Sequence, residues 1–479
     1  MTALAAVAVW LQPMLLAALV VSVTAGDAAA PWLALGVLIA PLVALLAPEM
    51  RLADTNPVAR AAVAVAVTLV LAADFVFAAD TAALLGSAPW MGVLLAATLA
   101  LLVPLLPGAR RASALALALT VGAWLLPLVS VAVTTSTAPW VAWSRGASRP
   151  ALTFSETSGW VRDGERFARP ARLTFVEGQR VTALSPGTYR VVERDVTPPT
   201  VREWRLAAGE SLTLRPGDEL SIEAGARVRF EAGRRVPGAP ASGVVWADAP
   251  ERGLAMLPGA LGTLATLVGG ALALVPSARR GPTALAAPLV LLVATTAAIG
   301  WGIYAGATAP DLALGESLPA PVLRLPVRAL GPRTGGPLAV LALAALAALA
   351  ITAVVALRGR LVAAGGSAPA LWAAAVALAT ALAVAPLDPW RLLVLGLGLA
   401  AAAAAPLRFA VAGDAATAGS LVGALAFLAL VGLPVAAPAA APWPEVLARY
   451  PALVAMALGW GATKALGGGG AARNPATSL

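Results

Sequence analysis

The stretch Val58–Phe77, VARAAVAVAVTLVLAADFVF, holds one arginine near its start, one aspartate near its end and otherwise almost only apolar side chains. At the helical rise per residue such a run covers about 30 Å, the thickness of the hydrocarbon core of a bilayer. It has no polar face, so it reads as a helix whose solvent is lipid. Similar runs fill most of the chain. Before residue 136 they are Leu4–Val23, Pro31–Ala47, Val58–Phe77, Trp90–Leu106 and Ala112–Val133. After residue 253 they are Leu254–Val275, Leu285–Ala305, Pro337–Leu357, Ala370–Ala385, Leu392–Ala405, Ala418–Val435 and Tyr450–Leu466. The expectation is a polytopic α-helical membrane protein of about twelve transmembrane helices, five before and seven after a polar insert.

Composition agrees. The chain is 60% hydrophobic and 12% charged, about half the charge of an ordinary soluble domain. Its formal charge of +9 is spread over arginines at segment ends and in the insert, with no basic tract interleaved with aromatics, so a nucleic-acid partner is not expected. The chain has no Cys and no His. Disulfides, thiol nucleophiles, imidazole metal or haem sites and Ser-His-Asp triads are excluded. No phosphate-binding, dinucleotide-binding or hydrolase motif occurs, and no motif selects a family. No cofactor or metal is expected, and the reading favours a non-enzymatic protein.

Arginines set the expected sidedness. Alternate short connections carry Arg51 and Arg60, Arg110 and Arg111, Arg279 and Arg280, Arg358 and Arg360, then Arg408, with Lys464 and Arg473 at the C-terminal end. The opposite loops carry Asp27, Asp80, Asp388 and Glu445. By the positive-inside rule the termini face the cytoplasm of a cell (inner) membrane and the insert lies outside. The first run lacks the basic start of a signal peptide and reads as a retained helix. The expected division is a five-helix region 1–135, an extracytoplasmic β domain 136–253, helices over 254–305, an outer loop 306–336, helices over 337–467 and a cytoplasmic tail 468–479.

The insert changes period. Arg172–Val181, Thr188–Glu193, Glu203–Leu206, Ser211–Leu214, Glu219–Glu223 and Ala226–Glu231 alternate apolar and polar residues between Gly and Pro turns, as a small antiparallel sandwich or barrel requires. Leu220 and Ile222 should face inward, as should Val228 and Phe230. A weak repeat is present: EGQRVT at 177–182 precedes SPG at 185–187, and AGESLT at 208–213 precedes RPGD at 215–218. Both Pro-Gly pairs fit the centre of a type II turn. In the outer loop, Val322–Leu325 alternates like one extended strand.

Polar candidates are few. Asp74 lies within the third run, near its outer end and close to Asp80; the pair could take a cation or proton, or simply face water at a helix end. Arg324 and Arg328 lie in the outer loop. Lys464, the single lysine, sits where lysine snorkels to an interface. Trp10, Trp32, Trp90, Trp140, Trp143, Trp301, Trp390, Trp443 and Trp460 read as an interfacial belt. Three functions fit. The preferred one is an accessory subunit or scaffold, with partners in the membrane and an envelope partner docked on the β domain. Next comes a transporter or exporter of an envelope component, gated by that domain. Last is an envelope glycosyl- or lipid-transferase using outer-face acids.

Overall fold

The computed structural model describes residues 3–26, 29–47, 57–147, 152–155, 159–162, 171–193, 199–223, 226, 228–231, 257–276, 285–309, 312, 317–363, 368–385, 387–405, 407, 414–436 and 451–468. Among the named residues, Asp27, Arg51, Arg279, Arg280, Arg408, Glu445, Trp443 and Arg473 lie outside the described residues. Each apolar run is helical over most of its described residues. In chain order the helices are α1 (Ala3–Ala8), α2 (Pro13–Ala25), α3 (Ala30–Leu46), α4 (Pro57–Leu84), α5 (Pro89–Leu102), α6 (Ala109–Thr134) and α7 (Pro139–Ala147), then, after the strands, α8 (Leu257–Leu274), α9 (Ala286–Thr308), α10 (Ala320–Ala363), α11 (Ala368–Val384), α12 (Pro389–Ala404), α13 (Asp414–Ala436) and α14 (Pro451–Gly468). Five of these are long and apolar enough to cross a membrane: α4, α6, α9, α10 and α13. The shorter apolar helices α2, α3, α5, α8, α11 and α12 pack among them.

Four expectations are corrected. The first run is not one helix: it breaks between Ala8 and Pro13. The segment from residue 136, expected to be all β, holds a helix, α7, before its first strand. The stretch Val322–Leu325 is helical, within α10. Val322, Leu323 and Leu325 are all buried and only Arg324 is exposed, so the apparent alternation came from a single arginine. Finally, Trp10 and Trp301 are buried in the bundle rather than at its rim.

Helix α10 is bent sharply at Gly331, whose φ of 76° and ψ of 168° are not helical. Positive φ is costly for any residue with a Cβ, and Pro332 follows directly. The two arms then fold close together: any side chain at Gly335 would overlap the Pro326 carbonyl.

Prolines inside helices leave carbonyls without an N–H four residues on. In lipid such a carbonyl needs another donor, and tryptophan supplies it twice. Pro41 interrupts α3, and the freed carbonyl of Val37 accepts from Trp10 Nε1 at 3.0 Å. Pro104 follows α5, and the freed carbonyl of Ala100 accepts from Trp372 Nε1 at 2.9 Å.

Side-chain bonds also fix which helix ends lie together. Arg358, near the end of α10, donates to the Pro104 carbonyl after α5, and Arg360 donates to the Ala273 carbonyl at the end of α8 at 2.7 Å. The ends of α5, α8 and α10 therefore meet. Tyr304, in the last turns of α9, donates its hydroxyl to the Thr137 carbonyl just after α6 at 2.7 Å, joining two other ends. Helix α2 is buried nearly all round, the mark of a helix at the centre of a bundle. It lies against α9, where Gly302 and Gly306 admit the Val20–Thr24 backbone.

The strands form three antiparallel sheets. Residues Leu152–Ser155 (β1) and Gly159–Arg162 (β2) pair as a hairpin. Ala171–Thr174 (β3), Glu219–Ile222 (β8), Gly187–Glu193 (β5) and Thr200–Leu206 (β6) make one sheet in the order β3-β8-β5-β6. Ser211–Leu214 (β7), Gln179–Ala183 (β4) and Val228–Phe230 (β9) make another in the order β7-β4-β9. A single core of Leu173, Phe175, Val181, Tyr189, Leu214, Leu220, Ile222, Val228 and Phe230 joins the last two sheets, as sheet-on-sheet packing requires. The expected strand Arg172–Val181 is thus two, β3 and β4, in different sheets. The two repeat copies interlock: β4 pairs with β7 and β5 with β8, and Val181 stands directly opposite its repeat counterpart Leu212. The Arg215–Asp218 turn has the expected form, with Gly217 at φ 89° and the Asp218 amide donating to the Arg215 carbonyl. The Pro186-Gly187 pair does not, because Gly187 has no positive φ and begins β5 directly.

Candidate functional site

The break in the first helix is built from sequence upward. Pro13 has no N–H, so the chain cannot continue α1 through it. Gln12 is extended at ψ 136° and its side chain does not cap α2; instead its Nε2 donates to the Val9 carbonyl at 2.8 Å. The first free backbone donor of α2 is therefore the Met14 N–H. Helix N-termini carry about half a positive charge, concentrated on such unpaired donors.

Asp74 faces this terminus. It sits on α4, which runs on to Leu84, ten residues farther. At the helical rise that is about 15 Å from the helix end. Reading Asp74 as a residue at the end of its segment is therefore corrected: the apolar run stops at Phe77, but the helix does not. Asp74 is only 6% exposed, and neither carboxylate oxygen has a hydrogen-bond partner. The Met14 N–H points toward it, short of hydrogen-bond geometry.

The carboxylate lines a cavity of about 320 Å³. Three helices wall it. From α4 come Asp74, Phe75, Phe77, Ala78, Thr81 and Ala82; from α5 come Gly92, Leu95, Ala96 and Leu99; from α10 come Leu343, Leu346, Ala350 and Val354. Pro13, at the break, completes it. Apart from Asp74 and Thr81 every lining side chain is apolar, and the Thr81 hydroxyl is taken by the Phe77 carbonyl at 2.8 Å. Leu85 and Leu95, both in its lining, are well exposed. The cavity thus leads from the molecular surface to a buried carboxylate. Small residues make it possible. A side chain at Gly92 would overlap the Ala78 carbonyl, so α4 and α5 approach backbone to backbone there.

The other sequence candidates do not join this site. Asp80 is six positions along α4 from Asp74, so the two project on different faces; it is half-buried and does not line the cavity. Arg324 and Arg328 are exposed, one turn apart on the first arm of α10. Asp388 caps α12, accepting from the Trp390 amide at 3.0 Å, with Arg391 at 3.6 Å. Lys464 lies 5.9 Å over the Trp460 ring, a cation–π contact across one helical turn. Among the described residues, no three carboxylates gather as a metal site would need.

Sequence reasoning missed the helix break, Gln12, and the α10 wall. The Gln12-Pro13 pair inside an apolar run was the available signal. No protein-family model matches the chain, and no curated protein matches it.

Proposed function

We propose that the protein is a transporter or exporter of the cell (inner) membrane, crossing the bilayer about twelve times, with both termini in the cytoplasm and the β domain outside. One observation carries this reading: Asp74, buried and unpartnered, faces the N-terminus of a broken helix in a cavity that reaches the molecular surface. A carboxylate at this depth is expensive to keep unless it serves. Discontinuous helices whose inner ends meet a polar group are how many transporters build a site in the middle of the membrane.

The topology draws support from the meeting of the α5, α8 and α10 ends through Arg358 and Arg360. These are the ends that the arginine alternation assigns to the cytoplasm. The proposed path then opens on the outer side, at Leu85.

The native chain lacks cysteine, so single cysteines report cleanly. Ala78→Cys and Ala96→Cys should react in intact cells with a membrane-impermeant thiol reagent, as should a β-domain control, Thr213→Cys. A lipid-facing control, Leu119→Cys, should not. Reaction at Thr213→Cys with none at either cavity position would overturn the proposal.

A second reading, an accessory subunit that docks an envelope partner, draws on β6. This strand ends its sheet and exposes Val201 and Trp204, and open edges recruit added strands. It expects a stoichiometric partner on mild purification; a stable partner-free monomer would count against it.

A further inference from the structure

Resting on the reading of the cavity as a substrate path, we propose that it takes a lipophilic cation, an amine or onium group on an apolar body, held by Asp74 against the apolar lining. The chemistry narrows the choices. A carboxylate among apolar walls repels anions and gives a neutral hydrocarbon nothing to pair with. Among the described residues, no arginine or lysine lines the cavity to neutralise it. The Thr81 hydroxyl is already committed to the Phe77 carbonyl, and the Met14 N–H offers only a partial charge.

Small inorganic cations fit poorly as well. Calcium asks for about six to eight oxygen ligands, and magnesium keeps tight octahedral oxygen coordination. Here a single side-chain carboxylate stands among carbon atoms, which cannot replace a hydration shell. An organic cation is weakly hydrated and carries its own apolar surface. It needs one counter-charge and apolar contact, and both are present. The cavity, about 320 Å³, lies at the small end of ligand sites. The exposed leucines in its lining, Leu85 and Leu95, suit the apolar body of such a molecule.

The probe is benzyltrimethylammonium, with neopentylbenzene as its uncharged isostere, on the purified full-length protein in nanodiscs. Equilibrium dialysis should show saturable binding of the labelled cation and no displacement by the isostere. Asp74→Asn should weaken binding by at least about tenfold, the scale of one charge-assisted contact. Ala350→Phe, which narrows the cavity from its α10 wall and leaves Asp74 in place, should weaken it comparably, so the test survives if one variant fails to fold. Absence of saturable binding to the wild type, equal binding to a folded variant, or equal displacement by the isostere would each overturn the proposal. Cysteine labelling at Ala78 separates this from the transport reading. Labelling without cation binding refutes the ligand class alone, and binding without labelling refutes the path alone.

Discussion

Trp10 and Pro41 act as a pair although they never bond to each other. The proline leaves the Val37 carbonyl without its helical donor, and the indole of Trp10 fills the vacancy at 3.0 Å. The break in the first helix is thereby pinned to the interior of α3. Trp372 and Pro104 repeat the arrangement through Ala100, so the bundle uses one device at two places.

The pairing can be measured. Trp10→Phe should destabilise the protein by about 1–3 kcal/mol, since it strands a buried acceptor. Pro41→Ala restores an N–H to α3. The double variant should therefore lose less than the sum of the single losses, with a coupling of about 1 kcal/mol. Apparent melting temperatures of the four proteins in one detergent give the answer; strict additivity would mean that the indole bond carries no weight.

Asp74 should trade stability against function. Asp74→Asn keeps the shape and removes an unpartnered buried carboxyl, so the melting temperature should hold or rise while binding of the proposed cation falls. Strained or unpaired groups kept at working sites behave this way. A clear drop in melting temperature would instead make Asp74 a structural cap for α2.

Glycines at contacts should differ sharply from glycines in open space. Gly92→Ala pushes a methyl group into the Ala78 carbonyl, whereas a side chain at Gly122 meets nothing within 4 Å. The first should cost several kcal/mol through overpacking, and the second should be neutral or stabilising by up to about 1 kcal/mol. Thermal unfolding of the two variants side by side checks it.

Two carboxylates hold the turns of the β domain. Glu210 accepts from the Ala207 amide and Asp218 from the Arg215 amide, each at 2.7 Å. Glu210→Ala and Asp218→Ala should each speed hydrogen exchange at the partnered amide and cost about 1 kcal/mol. Unchanged exchange at both amides would show the turns to be self-sufficient.

Much of this architecture was legible in the sequence because it rests on period and composition. Runs such as Val58–Phe77 need no tertiary information to be read as helices. Leu220, Ile222, Val228 and Phe230 are buried, as strict alternation demands. What stayed hidden depends on partners distant in the chain. Asp74 looked terminal because the apolar run ends at Phe77, but Ala78–Leu84 continues the helix with residues that are merely less apolar. Trp10 and Trp301 looked interfacial by position, but Trp10 answers a proline in another helix, and Trp301 stacks on Trp124 with ring centroids 6.4 Å apart. The α10 wall of the cavity lies more than two hundred and fifty residues from Asp74, and no local pattern joins them.

The interlocked repeat of the β domain sets an order for its synthesis. Each copy sends one strand to either sheet, and its main partners belong to the other copy. A nascent chain that has released only the first copy has neither ladder to close. Once Leu206 has emerged the β5–β6 hairpin can close, but Val181 must wait for Leu212 and the other edge of β5 for Glu219–Ile222. Exposure of apolar strands during that interval invites aggregation, so this domain stands to gain most from a chaperone during its biogenesis.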